Sequence, residues 1–341
     1  MKYGYFPGCS LERNAAAYDR SARAVAAALG CELAEIDDWN CCGAAEYMAI
    51  DQLAAYALVG RNLALAQRQL QPAPELHRAP DGRADLIAPC SACYLNLRKV
   101  DHHLGLHAVL RAQTSAALAA GGLHYDPGSV RARHLLDVIV SDVGYEVVRQ
   151  HVTRPLEGLR VAPYYGCLIV RPHYGDEVGN PEYPEELDEL LRALGAEVVD
   201  FPLKASCCGG HMTQISAGVA YELIRRLLQN AADYQADVIA TLCPMCQLNL
   251  DAYQARVNRH FGTTFKLPIL YFTQLMGLAF GLDARALGFG KEIVSARPAL
   301  AKIGASLPAP EPPARRRRPD ERALPMPGQG RPRAPRKAKR P

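Results

Sequence analysis

The chain has 341 residues, 49% of them apolar and 22% charged, with no run of eighteen apolar residues. That composition fits a soluble globular protein long enough for two domains, and it excludes a conventional transmembrane helix. The net charge of +4 hides a split, because positions 308–341 carry 11 basic and 3 acidic residues and leave 28 basic against 32 acidic groups elsewhere. A mildly acidic body with a basic tail gives no support to nucleic-acid binding. The opening Met1-Lys2-Tyr3-Gly4-Tyr5-Phe6 lacks the order of a signal peptide, so the expected location is cytoplasmic.

In chain order, β-type apolar runs at 2–6, 32–36 and 84–88 alternate with Ala- and Leu-rich helical stretches at 19–29 and 51–70. A stretch rich in Ala, Arg and His follows at 101–137 and has the character of an insertion. Strands at 159–162, 196–201 and 238–242 then alternate with helices at 186–194, 217–232 and 247–258. This alternation predicts an α/β fold of two pseudo-symmetric halves, each a parallel sheet flanked by helices. The expected limits are 1–135 for the first half, including the insertion, and 136–307 for the second. Positions 308–341 are rich in Pro and Arg and too poor in large apolar residues to bury a core, which predicts disorder.

Eleven cysteines without a signal peptide argue for metal or redox chemistry over a disulfide framework, and an odd number cannot pair completely. Ten of them form two copies of one pattern. Cys9, Cys41-Cys42-Gly43, Cys90 and Cys93 are repeated as Cys167, Cys207-Cys208-Gly209, Cys243 and Cys246. The flanks repeat too. Gly8 matches Gly166, Ala28-Leu29-Gly30 matches Ala193-Leu194-Gly195, and Ala84-Asp85-Leu86-Ile87-Ala88 matches Ala236-Asp237-Val238-Ile239-Ala240. Leu95-Asn96-Leu97 likewise matches Leu248-Asn249-Leu250. The chain is an internal duplication.

Thiolates bind iron–sulfur clusters and zinc alike. A structural zinc site needs four ligands, often two C-x-x-C pairs near each other. Here each half offers five cysteines on long spacings. Neighbouring side chains of an extended chain point to opposite sides, so the Cys-Cys pair suits two metal atoms of a cluster better than one ion. Iron–sulfur is favoured, with zinc the alternative. The ferredoxin spacing and a G-x-G-x-x-G fingerprint are both absent from the sequence, so electrons are expected to come from partners.

With Phe6-Pro7-Gly8-Cys9-Ser10, Asn40-Cys41-Cys42-Gly43, Ala88-Pro89-Cys90, Tyr164-Tyr165-Gly166-Cys167, Ser206-Cys207-Cys208-Gly209-Gly210 and Leu242-Cys243-Pro244, the chain resembles the B-subunit family of heterodisulfide reductase, built of tandem cysteine-rich CCG domains. Leu267-Pro268-Ile269-Leu270-Tyr271-Phe272-Thr273-Gln274-Leu275 belongs to the likeness as well. The resemblance implies two non-cubane [4Fe-4S] clusters, one on each set of five cysteines, with a disulfide or thiol substrate between them. It also implies two partners, one a ferredoxin-like iron–sulfur protein and the other a flavoprotein, the C and A subunits of such a complex. Two rivals stand beside that reading: an electron relay of a lactate- or glycolate-type oxidase complex, and a zinc-stabilised structural module.

Other residues carry weaker signals. Lys204 and His211 flank the second Cys-Cys-Gly, and Arg171 and His173 follow Cys167, where each has the chemistry to stabilise or protonate a departing thiolate. The competing reading is surface solvation or hydrogen bonding within the cluster loops. Cys31 matches Ala196 and is expected to pack as a small apolar residue. His102, His103 and His107 are expected on an exposed helix, and Tyr5, Tyr164 and Tyr165 in the core. The arginines of the tail are expected to be solvated.

Overall fold

The computed structural model describes residues 1–44, 47–174 and 179–305. The tail at 308–341, expected to be disordered, lies outside them. Strands β1 (Lys2–Tyr5), β2 (Glu32–Glu35), β3 (Ala84–Ala88) and β4 (Val130–His134) form one sheet in the order β2-β1-β3-β4. Strands β5 (Arg160–Tyr164), β6 (Glu197–Val198), β7 (Val238–Thr241) and β8 (Ile269–Tyr271) form a second in the order β6-β5-β7-β8. All six pairings within these sheets are parallel. The expected α/β class of two parallel sheets flanked by helices is therefore the observed one.

The physical reasons are local. Every residue of the central strands β3 and β7 is buried, the pattern of parallel strands covered on both faces. Helices α1 (Ala16–Ala28), α2 (Gln52–Leu70), α3 (Ser91–Leu106) and α4 (Ala108–Ala120) belong to the first half. The main helices of the second are α5 (Glu186–Ala193), α6 (Ala217–Asp233), α7 (Pro244–Ala252) and α8 (Gln254–Phe261), with α9 (Phe272–Ala279) after β8. The Asp51 carboxylate caps α2 by accepting from the Ala54 amide at 2.9 Å, and Pro244 opens α7 where its missing N–H costs nothing. The ion pair Lys2–Glu32 across β1 and β2 recurs as Arg160–Glu197 across β5 and β6, each at 3.1 Å.

Two differences from the sequence reading stand out. The stretch at 101–137 is not merely inserted, since it contributes the end of α3, all of α4 and the strand β4 that completes the first sheet as β8 completes the second. Its strand, Val130-Arg131-Ala132-Arg133-His134, hides among polar residues because Asp85 neutralises it from within. The buried Asp85 carboxylate accepts from Arg131 at 2.6 and 2.8 Å and from Arg133 at 3.3 Å. The second difference is one of register. Gly4 pairs with Leu86, whereas its counterpart Ala162 pairs with Ile239, so the Ala-Asp match of the two sequences is offset by one residue in space. A one-residue offset exchanges the faces of a strand. Asp85 is thus buried in an ion-pair network, while Asp237 takes the Arg160 amide and the Lys302 ammonium.

The halves share one apolar core. Tyr18 of α1 reaches across, donating from its hydroxyl to the carbonyl oxygens of Pro89 (2.9 Å) and Leu242 (3.2 Å), the residues just before Cys90 and Cys243. Its ring stacks on Tyr271 with centroids 4.3 Å apart and planes 7° from parallel. Ser21 bonds Thr273 at 2.6 Å beside it. Tyr18→Phe should leave both carbonyls without this donor and lower stability by about 1–3 kcal/mol, read as a lower thermal midpoint with an unchanged far-ultraviolet spectrum.

Candidate metal centre

Each cysteine group lies past the carboxyl end of a strand, the edge where open parallel sheets place ligands. Cys9 follows β1, Cys41-Cys42 follow β2 and Cys90 follows β3, and the second half repeats this after β5, β6 and β7. Cys90 and Cys243 sit at the N-caps of α3 and α7, which puts Cys93 and Cys246 in the first turn of each helix. The structure therefore brings together the distant cysteines that the sequence pattern singles out. Cys9 and Cys41 have sulfurs 3.3 Å apart, as do Cys42 and Cys93. In the second half, Cys167 contacts Cys207 and Cys208 contacts Cys246. Cys90 and Cys243 contact each other, so the two groups touch at the junction of the halves. All these thiols are free, and so is Cys31, which is buried as expected.

Two buried asparagines that sequence reasoning met only as flanks fix the Cys-Cys-Gly turns. Asn96 donates to the carbonyls of Cys42 (3.0 Å) and Ala44 (2.7 Å), and Asn249 donates to those of Cys208 (3.3 Å) and Gly210 (2.8 Å). A third, Asn62, escaped notice altogether. Fully buried on α2, it accepts from the Asn40 amide at 2.9 Å and donates to the Asn40 carbonyl at 2.8 Å, pinning the approach to Cys41. The signal available was an Asn at an apolar position of a helix, and its partner is visible only in space.

The donor set fits a thiolate-bound metal group. Gly8 and Gly166 have φ of +76° and +71°, and a Cβ there would lie 2.8 Å from the Cys93 sulfur and 3.1 Å from the Cys246 sulfur. Both glycines keep that space clear for a ligand atom. At each Cys-Cys pair the first sulfur accepts an amide two residues on, Gly43 to Cys41 at 3.4 Å and Gly209 to Cys207 at 3.3 Å. Hydrogen bonds from Cys42 and Cys9 pull the Cys41 pKa down to about 2, and one from Cys167 pulls Cys207 down to about 6. The partners Cys9 and Cys167 are pushed up as donors.

The remaining sequence candidates are dispersed. Lys204 is buried, its ammonium 3.0 Å from Asp188 and 3.7 Å from the centroid of the Tyr183 ring, while its carbonyl accepts the Tyr165 and Gly166 amides. Arg171 is exposed and donates to the Ala205 carbonyl at 2.6 Å, tying the loop after Cys167 to the one before Cys207. His211 is half-buried and heads a single helical turn at 212–215. His173 is exposed. Tyr5, Tyr164 and Tyr165 are core residues, as expected. His103 on α3 meets the Tyr56 hydroxyl and packs edge-on against His107. His77, Asp85 and Asp142 also converge, but Arg131 and Arg133 already occupy those carboxylates, which makes the group a salt-bridge network.

Comparison with known proteins agrees with this geometry. The family model described as "CCG: Cysteine-rich domain" matches residues 3–98 and 161–251. The chain belongs to that cysteine-rich family and carries its domain twice. A relative in Wolinella succinogenes named "8-methylmenaquinol:fumarate reductase membrane anchor subunit" is 32% identical, over 86% of this chain and 98% of its own. A Methanosarcina acetivorans protein, named as the B subunit of a ferredoxin/F(420)H(2)-dependent CoB-CoM heterodisulfide reductase, is 29% identical, over 89% of this chain and 97% of its own. An Archaeoglobus profundus protein, named as similar to the B subunit of heterodisulfide reductase, is 30% identical, over 83% and 92%. A crystal structure of a hypothetical protein from Helicobacter pylori shares the fold at a TM-score of 0.65 and 13% identity, over 86% of this chain. This chain spans about half, 52%, of that one. Among the described residues no helix is long and apolar enough to cross a membrane.

Two outcomes follow. Gly8→Ala and Gly166→Ala should each displace the adjacent sulfur and, with a side chain forced to positive φ, cost about 1–2 kcal/mol, seen as loss of bound metal from one half. In metal-free protein, iodoacetamide should modify Cys41 and Cys207 ahead of the buried cysteines at pH 7. Labelling of Cys207 should fall as pH drops through about 6, where its thiolate is protonated, while Cys41, with a pKa of about 2, keeps reacting at pH 5. Peptide mass spectrometry separates the two sites.

Proposed function

We propose that this chain is an iron–sulfur redox subunit that acts on a disulfide or related sulfur substrate. The observation that carries the reading is the meeting of two equivalent five-cysteine groups at Cys90 and Cys243. Bound there, an iron–sulfur cluster supplies one-electron transfer. The residues that would hold the groups are Cys9, Cys41, Cys42, Cys90 and Cys93 in the first half and Cys167, Cys207, Cys208, Cys243 and Cys246 in the second. Breaking one S–S bond takes two electrons and two protons and yields two thiols, so two adjacent one-electron sites match the stoichiometry. Two [4Fe-4S] clusters of non-cubane form suit five ligands per site better than four.

This chain's own residues support the rest. Exposed Cys9, Cys41 and Cys207 place the edges of both sites at the surface, within reach of an electron-delivering partner. The partners this reading assigns, in the cytoplasm, are a ferredoxin-like iron–sulfur protein and a flavoprotein of the same complex. Arg171 and His211, close in sequence to Cys167 and to the second Cys-Cys-Gly, are the side chains this reading assigns to meet a thiolate. Lys204 is committed to Asp188 and supports the loop bearing Cys167. The similarity to the fumarate reductase protein favours one second reading, an electron relay without disulfide chemistry.

Iron, acid-labile sulfide and zinc should be measured on protein purified without oxygen. About eight irons per chain with matching sulfide are expected, and Cys42→Ser and Cys208→Ser should each remove about half. Zinc in place of iron would overturn the redox assignment. Full iron with no reduction of any disulfide by reduced viologen would favour the relay.

A further inference from the structure

The matched halves differ in what lies at the strand ends below the cysteines. β7 ends at Thr241, two residues before Cys243, and its counterpart two residues before Cys90 is Ala88. Thr241 is fully buried, yet its hydroxyl has no hydrogen-bond partner among the described residues. The other hydroxyls nearby are taken. Tyr164 donates to the Ser206 carbonyl at 2.7 Å, Ser21 bonds Thr273, and Tyr18 serves the Pro89 and Leu242 carbonyls. A valine would fill the Thr241 position at no polar cost. A buried hydroxyl left without a partner by the protein points to an acceptor that the chain itself does not supply.

The sheet shows where that acceptor lies. Thr241 pairs in register with Tyr164 on one side and Tyr271 on the other, and residues paired across parallel strands project from the same face. Tyr164 is within electrostatic reach of Cys246, Cys208, Cys167 and Cys207, and a Cβ on Gly166 would lie 3.9 Å from its hydroxyl. Tyr271 is within reach of Cys243, Cys90 and Cys246. The orphan hydroxyl thus stands between two rings that both lead to the sulfurs of the second group. In the first half, Phe6 takes the place of Tyr164 and Ala88 that of Thr241, so neither position carries a hydroxyl. The Phe6 amide donates to the Ile87 carbonyl at 2.8 Å, which seats that ring beside Ala88.

We propose that the Thr241 hydroxyl donates to a sulfur of the iron–sulfur group held by Cys167, Cys207, Cys208, Cys243 and Cys246, and thereby raises the reduction potential of that site alone. The assignment rests on the iron–sulfur reading above. A donor to cluster sulfur stabilises the more negative, reduced state, and hydrogen bonds to the sulfurs are among the factors that set the potential. Thr241 is in this sense a tuning residue, and it gives two sites with the same ligand set different affinities for an electron.

The test is a redox titration of the full chain, loaded without oxygen and followed by electron paramagnetic resonance. Thr241→Val keeps the shape and removes the hydroxyl. Its iron content should match wild type, and one midpoint should fall so that the oxidised-to-reduced ratio at fixed potential rises at least threefold. Thr241→Ser, which keeps the donor, should stay closer to wild type than that. Thr241→Ala, the residue of the first half, serves where Thr241→Val loads less iron. The fall should recur in Cys42→Ser protein, which retains the second site, and be absent from Cys208→Ser protein, which retains the first. A change below threefold in both Thr241→Val and Thr241→Ala, or an equal fall in Thr241→Ser, would overturn the tuning role and leave the iron–sulfur reading standing. So would a fall that persists in Cys208→Ser protein. Wild type that holds zinc in place of iron would overturn the iron–sulfur reading and this assignment together.

Discussion

The hydroxyl of Tyr18, shared between the Pro89 and Leu242 carbonyls, is the contact on which the arrangement of the metal centre depends. Each carbonyl belongs to the residue before the first cysteine of a C-x-x-C motif. A buried carbonyl without a donor is costly, so one side chain that serves both must hold both strand ends at a fixed separation. That separation brings Cys90 and Cys243 into contact and makes two sites out of two copies of a motif. The stacked Tyr271 ring keeps Tyr18 from rotating away, and the Ser21–Thr273 bond fixes the helices behind it. The chemistry thus rests on packing from α1 and α9, neither of which carries a cysteine.

Much of this was legible from the sequence, for identifiable reasons. Ten cysteines with matching flanks declare the duplication without any need of structure. Six strands announce themselves as apolar β-type runs, and parallel topology then places the cysteines at one edge. The fourth strand of each sheet was missed. In β4 the alternate residues are Arg131 and Arg133, and nothing in a linear pattern says that Asp85, Asp137 and Asp142 will neutralise them. β8 has only three residues and merges into the apolar helix after it. The buried asparagines were hidden for a similar reason, since Asn62 is polar on a face where its one partner, the backbone at Asn40, comes from a loop 22 residues away.

The pKa pattern of the sulfurs shows how the sites are prepared. A cluster of thiols held at van der Waals distance cannot ionise independently, because each new negative charge raises the cost of the next. The chain resolves the conflict by geometry. In both halves the first cysteine of the pair is the acceptor, helped by a glycine amide, and the lone cysteine after β1 or β5 is the donor. Glycine is needed at that amide because the turn has positive φ, +77° at Gly43 and +94° at Gly209. Cys-Cys-Gly is therefore a unit with a physical division of labour, in which one thiolate is set at the surface, one sulfur is sent inward to the C-x-x-C, and the glycine makes the turn that permits both.

Duplication ordinarily gives two equivalent sites, and this chain departs from equivalence in a directed way. The loop between Cys167 and α5 is longer than that between Cys9 and α1, which releases Tyr183 from the position Tyr18 holds. On that side His134 stands where Tyr271 stands on the other, and its ring meets Tyr94 edge-on with centroids 5.8 Å apart. The register offset of β7 points the same way, since it exchanges an Asp85 buried beneath β4 for a Val238 beneath β8. The first sheet therefore carries a charged network, Asp85, Arg131, Arg133 and Asp142, around its last strand, where β8 of the second sheet is apolar.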